Sequence, residues 1–161
     1  MLSAFAPRGS AGTIATFADP AVDGSTPLFL VDSATLSGGW SGSGLTLITP
    51  ISGQIFENAT FSMTPVSISG GGILSAGTIQ FFEDIADGGG LILQIDFDAG
   101  TLNLPFGFGA SFAAGDNVTF SGPIIPGPLT DETFAFSFAN PQPAGQQGTS
   151  YTAAFTSSAI P

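Results

Sequence analysis

Residues 75–104, SAGTIQFFEDIADGGGLILQIDFDAGTLNL, decide the fold. Residues 78–82, TIQFF, are mostly β-branched and aromatic, the types that fit a pleated, half-buried surface. Residues 87–90, DGGG, supply turn chemistry, and residues 91–97, LILQIDF, follow. Side chains alternate between faces along a strand. Leu91, Leu93, Ile95 and Phe97 therefore share one face, and Ile92, Gln94, Asp96 and Asp98 share the other. The first face reads as core, and the second grows wetter towards its end. Two such runs joined by a Gly-rich turn predict a β-hairpin.

The same recipe recurs on both sides. Upstream, residues 13–18, 28–36, 45–49, 59–64 and 66–69 read as strands, with Pro65 interrupting the last two, and residues 54–57 as a short strand or a turn. Residues 37–44, SGGWSGSG, read as a loop or an irregular edge. Downstream, residues 117–121 and 150–158 are strand candidates, while residues 140–149 read as a polar loop. Residues 122–128, GPIIPGP, are too rich in Pro for a central strand. Residues 133–139, TFAFSFA, show the cleanest alternation, with Phe134, Phe136 and Phe138 facing one way and Ala135 and Ser137 the other. About ten strands at spacings of roughly 8–12 residues, with no amphipathic helix, predict an all-β domain. The architecture expected is an antiparallel β-sandwich with jelly-roll-like or Greek-key connections and almost no helix. Phe134, Phe136, Phe138, Leu91, Leu93, Ile95 and Phe97 are expected in one core.

Residues 13–161 are expected to form this single domain, behind a flexible tail of residues 1–12. Residues 1–10, MLSAFAPRGS, lack the apolar run of about 7–15 residues that marks a secretory signal. No stretch approaches the roughly 18 apolar residues of a membrane helix, so no membrane insertion is expected of this chain.

Composition narrows the function classes. Only 8% of residues are charged, against roughly 25% in an ordinary soluble protein, so 18 Ser and 16 Thr carry the surface polarity. Twelve acids face one cation, Arg8, for a net charge of −11. A nucleic-acid binder neutralises phosphates with Lys and Arg, which this chain lacks. An anionic membrane surface repels it for the same reason, leaving cations and neutral polymers as compatible partners. With no Cys and no His, zinc fingers, Cys nucleophiles and Ser-His-Asp triads are excluded. Low Lys with abundant Thr, Ser and Gly suggests an extracellular setting.

Few residues carry candidate chemistry. Asp96-x-Asp98-x-Gly100 has the spacing that opens a calcium loop, but Gly100 replaces the third ligand and Gly107 stands where the closing Glu belongs. It reads as a solvated strand edge. Glu83, Asp84 and Asp87 form a second acidic cluster, read as a charged turn that blunts an edge. Trp40, the single Trp, is either a stacking platform for a sugar ring or a plug closing the end of the fold. Asn58-Ala59-Thr60 and Asn117-Val118-Thr119 match the short glycosylation pattern. A glycosidase needs paired carboxylates and usually Asn, Arg or His around the sugar, and most of the latter are missing. No catalytic residue, cofactor or metal site is assigned, and the chain is expected to be non-enzymatic.

The chain ends Ser157-Ser158-Ala159-Ile160-Pro161. Its Thr/Ser/Gly/Phe-rich, Lys-poor texture over residues 11–161, with this ending, resembles the secreted region of bacterial PEP-CTERM proteins, the substrates of exosortases. In that family a β-domain leads into a Val/Ile-Pro-Glu-Pro motif, a transmembrane helix and an Arg-rich tail. Ile160 and Pro161 match the first half of the motif, and the Glu, second Pro, helix and Arg cluster are not in this sequence. The resemblance implies export in a Gram-negative, exopolysaccharide-producing bacterium. It further implies a non-enzymatic role at the cell surface or in the biofilm matrix, with exopolysaccharide or other matrix components as partners. The alternative expectation is a carbohydrate-binding module using Trp40 and nearby Asp or Asn side chains.

Overall fold

The computed structural model describes residues 10–145 and 148–161, and nearly all of its regular structure is strand. In chain order the strands are β1 (Gly12–Phe17), β2 (Phe29–Val31), β3 (Thr35–Trp40), β4 (Leu47–Thr49), β5 (Gln54–Phe56), β6 (Thr60–Ser69) and β7 (Ile73–Leu74). They continue with β8 (Gly77–Phe82), β9 (Leu91–Phe97), β10 (Gly100–Asn103), β11 (Gly107–Ser111), β12 (Val118–Ser121), β13 (Thr130–Pro143) and β14 (Thr149–Ile160). Two single-turn 3-10 helices, Ile85–Asp87 and Phe112–Ala114, complete the set. The all-β, nearly helix-free expectation is met.

The expected sandwich is not. Eight strands close a hydrogen-bonded ring in the order β6, β3, β2, β14, β13, β11, β10, β7 and back to β6, each pair antiparallel. The fold is a closed barrel with extra strands. One arm, β8-β9-β12, continues from β6, and the other, β1-β4-β5, continues from β14. Closure pairs both edges of each ring strand, which leaves the open edges to β12 and β5 at the ends of the arms. The 13–161 unit is thus a barrel, and of the expected tail, residues 1–9 lie outside the described residues while Gly12 is already paired with Ala159.

Closure was illegible because the strands that make it are short or glycine-rich. β7 has two residues and β2 has three, too few to show alternation. The 28–36 run is in fact two strands, broken where Asp32 accepts the N–H groups of Ala34 and Thr35 at 2.7 Å each. Residues 37–40, read as loop, are the body of β3, lying between β2 and β6. Glycine is there for space, since a methyl group on Gly38 would lie 2.3 Å from Phe29 Cδ1 and 2.9 Å from the Leu28 carbonyl. Pro65 does not end a strand either. Leu36 pairs with Val66 and Gly38 with Met63, so Thr64 and Pro65 bulge out of β6 where its other edge changes partner from β8 to β7. A bulge tolerates the missing N–H.

The opening hairpin forms as read, from Gly77 opposite Phe97 to Phe81 opposite Leu93. A bulge follows, with Phe82 opposite Leu91, so Ile92 is buried at 1% exposure while Leu91 is only half-buried. Leu93, Ile95, Phe97, Phe134 and Phe136 are buried, with Phe138 packed against them. Phe136 sits at the centre, its ring centroid 4.8–6.1 Å from those of Phe17, Phe29, Phe61, Phe108, Phe134 and Phe155. The interior is a solid aromatic core, not a channel. β13 and β14 pair from Thr130–Ile160 to Pro143–Thr149, so strand replaces both ends of the expected 140–149 loop.

Candidate functional site

The acidic side chains are spread over the loops and mostly hold backbone. Asp23 accepts the Thr26 hydroxyl at 2.6 Å and the Ser25 and Thr26 N–H groups at 2.9 Å. These bonds, the hydroxyl first, keep its carboxyl well below the usual range. Asp32 is lowered by the Ala34 and Thr35 N–H groups and then the Thr35 hydroxyl. Asp19 holds the Ala21 N–H, Asp84 the Ala86 N–H and Asp116 the Ser111 N–H. Such Asx turns fix where each loop leaves its strand.

Asp96 and Asp98 lie together in an open depression of about 550 Å³ on the outer face of β8, β9 and β12, with Thr64, Thr78, Asn117 and Thr119. Asp96 accepts the Thr78 hydroxyl at 2.7 Å and the Gln94 amide at 2.9 Å, while Gln80 donates to Gln94 at 2.9 Å. Asp98 accepts the Asn117 N–H at 2.8 Å and its side-chain amide at 2.6 Å, and both bonds, the backbone one first, lower its pKa. The pair thus stitches strands together on a hydrogen-bonded ladder. Gly100 lies in β10, away from any calcium-type loop. Glu83, Asp84 and Asp87 flank the hairpin turn, where Asp84 caps the short Ile85–Asp87 helix. Among the described residues, no three His, Cys, Asp or Glu side chains are grouped to hold a metal ion.

Trp40 ends β3 opposite Phe61 and is only 8% exposed. Gly42 lies against its indole, so that a methyl group there would stand 3.2 Å from the ring. Among the described residues its Nε1 has no hydrogen-bond partner. The ring packs as a plug, not as an open platform. Asn58 spends its side-chain oxygen on the Gly44 N–H at 2.9 Å and Asn117 its amide on Asp98.

Two features escaped the sequence reading. Glu132 reaches from β13 to the Phe120 N–H on the free edge of β12. Burial pushes its carboxyl up, opposed by that N–H. A charge turned onto an edge strand blocks further strand pairing. The second is an apolar trough of about 430 Å³ on the outer face of β10, β11 and β13. Its floor is Gly107, Gly109, Ala135 and Ser137, and Phe106, 71% exposed, stands at one end. Gly109 opposes Ala135 and Gly107 opposes Ser137, so two rows of minimal side chains open the hollow. Only the pairing of strands brings these positions together.

Comparison of the chain with protein-family models, curated proteins and solved structures finds no match.

Proposed function

We propose that this chain is a non-enzymatic, exported domain that serves as a structural component of a bacterial surface or extracellular matrix. The observation that carries the reading is the use made of the carboxylates. Asp19, Asp23, Asp32, Asp84, Asp98, Asp116 and Glu132 each hold a backbone N–H, and Asp96 holds a hydroxyl and an amide across strands. A general acid or base must instead keep an oxygen free to reach the proton it moves. A solid aromatic core under a Ser/Thr surface, at −11 charge, suits a durable, well-solvated scaffold. The resemblance to PEP-CTERM proteins supports the location. A binding module built on Trp40 loses support, because its indole is covered.

The test is fractionation of the cells that make the full-length protein, with protease treatment of intact cells. The expected outcome is recovery in the surface or matrix fraction and loss on protease treatment. Recovery in the cytosol, protected from protease, would overturn the proposal.

A further inference from the structure

We infer that the trough over β11 and β13 is a binding site for a segment of an uncharged polysaccharide. The floor has no side chain larger than Ser, so backbone and Cβ atoms are within reach of a ligand. Glycine is required there, since a methyl group on Gly109 would meet the Phe134 carbonyl at 2.3 Å. The Phe106 ring beside this floor is the kind of apolar plate on which the C–H face of a sugar packs. Thr101, Asn103 and Ser137 are exposed around it and offer hydroxyl and amide groups to sugar hydroxyls. Asp116, at the far end, gives one oxygen to the Ser111 N–H and is an acceptor for sugar O–H donors.

Charge selects the occupant. The strand pairing extends the floor into a continuous outer row, Thr101, Gly109, Ala135, Thr156 and Thr16. A second row alongside it runs Asn103, Gly107, Ser137 and Ala154. Neither row carries a charge, on a chain of net −11. An anionic polymer, or a second copy of this chain, meets repulsion on approach, and a neutral polymer does not. The row crosses four strand gaps, about 19 Å at roughly 4.8 Å each, long enough for several sugar units laid across the strands.

The site is independent of the location proposed above, which fractionation tests separately. The experiment is affinity electrophoresis of the full chain in gels containing dextran, mixed-linkage β-glucan, xylan or galactomannan, with alginate as the anionic control. The expected result is retardation by at least one neutral polymer and none by alginate. Phe106→Ala should weaken it about tenfold, the loss typical of an anchoring aromatic. Asn103→Ala should weaken it less, and both variants should keep the wild-type melting temperature because both residues are exposed. No retardation by any of the four polymers overturns the inference, as does retardation that Phe106→Ala leaves unchanged. Self-association abolished by Phe106→Ala would assign the trough to a second copy and overturn it equally.

Discussion

Phe136→Ala tests the core directly. The side chain is 1% exposed and its ring meets six others, from β1, β2, β6, β11, β13 and β14. Truncating a buried Phe costs about 3–5 kcal/mol through lost transfer energy and the cavity left behind. The outcome here belongs in the upper half of that range. The six neighbours stand on six strands bound into one hydrogen-bonded network, so none can slide into the hole without breaking its ladder. Edge and offset ring contacts, worth about 0.5–1.5 kcal/mol per pair, are lost as well. A loss near 4 kcal/mol corresponds to about 8–16 °C in melting temperature for a chain of this size. Urea unfolding followed by near-ultraviolet circular dichroism measures it, read as a lower midpoint at constant slope. Phe106→Ala is the control and should stay within about 0.5 kcal/mol. A loss below about 1 kcal/mol for Phe136→Ala would refute the packing argument.

Gly38→Ala should destabilise by about 1–3 kcal/mol, since its methyl group collides with the Phe29 ring and the Leu28 carbonyl; unchanged thermal stability would refute a steric role for this glycine. Asp32 and Asp98 have folded pKa values below their unfolded ones, so their contribution is present above about pH 4 and lost as pH falls through the folded values. Asp32→Asn and Asp98→Asn should therefore be less stable than wild type at pH 6, with the deficit closing in melts taken towards pH 2. Glu132 has the opposite sign: its raised folded pKa makes its contribution full below about pH 4.3 and lost as pH rises through the folded value. Glu132→Gln, which keeps an acceptor for the Phe120 N–H, should gain on wild type in melts from pH 4 to 7, and a gain that shrinks instead would contradict the assigned shift. Sodium and calcium at matched ionic strength should stabilise the protein alike by screening its carboxylates. A calcium-specific rise in melting temperature that Asp96→Asn/Asp98→Asn abolishes would show a true site.

The elements legible in the sequence were those long enough to show a period. The β8–β9 hairpin and the 133–139 run announced their buried faces, and their aromatic residues do form the core. What stayed hidden was pairing. Whether two sheets stack or join depends on β7, β10 and the Gly38-Gly39 segment, each too short or too bare for a pattern. Ile92 slipped into the core through a bulge, which shifts register by one residue and so exchanges faces. The trough was illegible for a similar reason, because its floor joins residues 107–109 to residues 135–137 only through strand pairing. Isolated acids looked like candidate ligands, yet only the fold shows that most of them hold loops.

The two-sided use of β14 has a consequence for how the protein is made. One flank of this strand binds β13, and the other binds β2 along Thr149–Tyr151 and β1 along Phe155–Ala159. A nascent chain emerging from the ribosome therefore holds β1 and β2 long before β14 exists, with only β4 and β3 to pair with. Each carries buried-type residues, Ile14, Ala15 and Phe17 in one and Phe29 and Val31 in the other, on an edge that cannot yet be matched. Contacts this distant along the chain slow folding, because loop closure must precede any gain from pairing. The meander from β6 through β8 to β9 is local and can assemble early, but the ring waits for its last strand. The ring therefore stays open until β14 has been made, and its closure is a late, long-range step of folding.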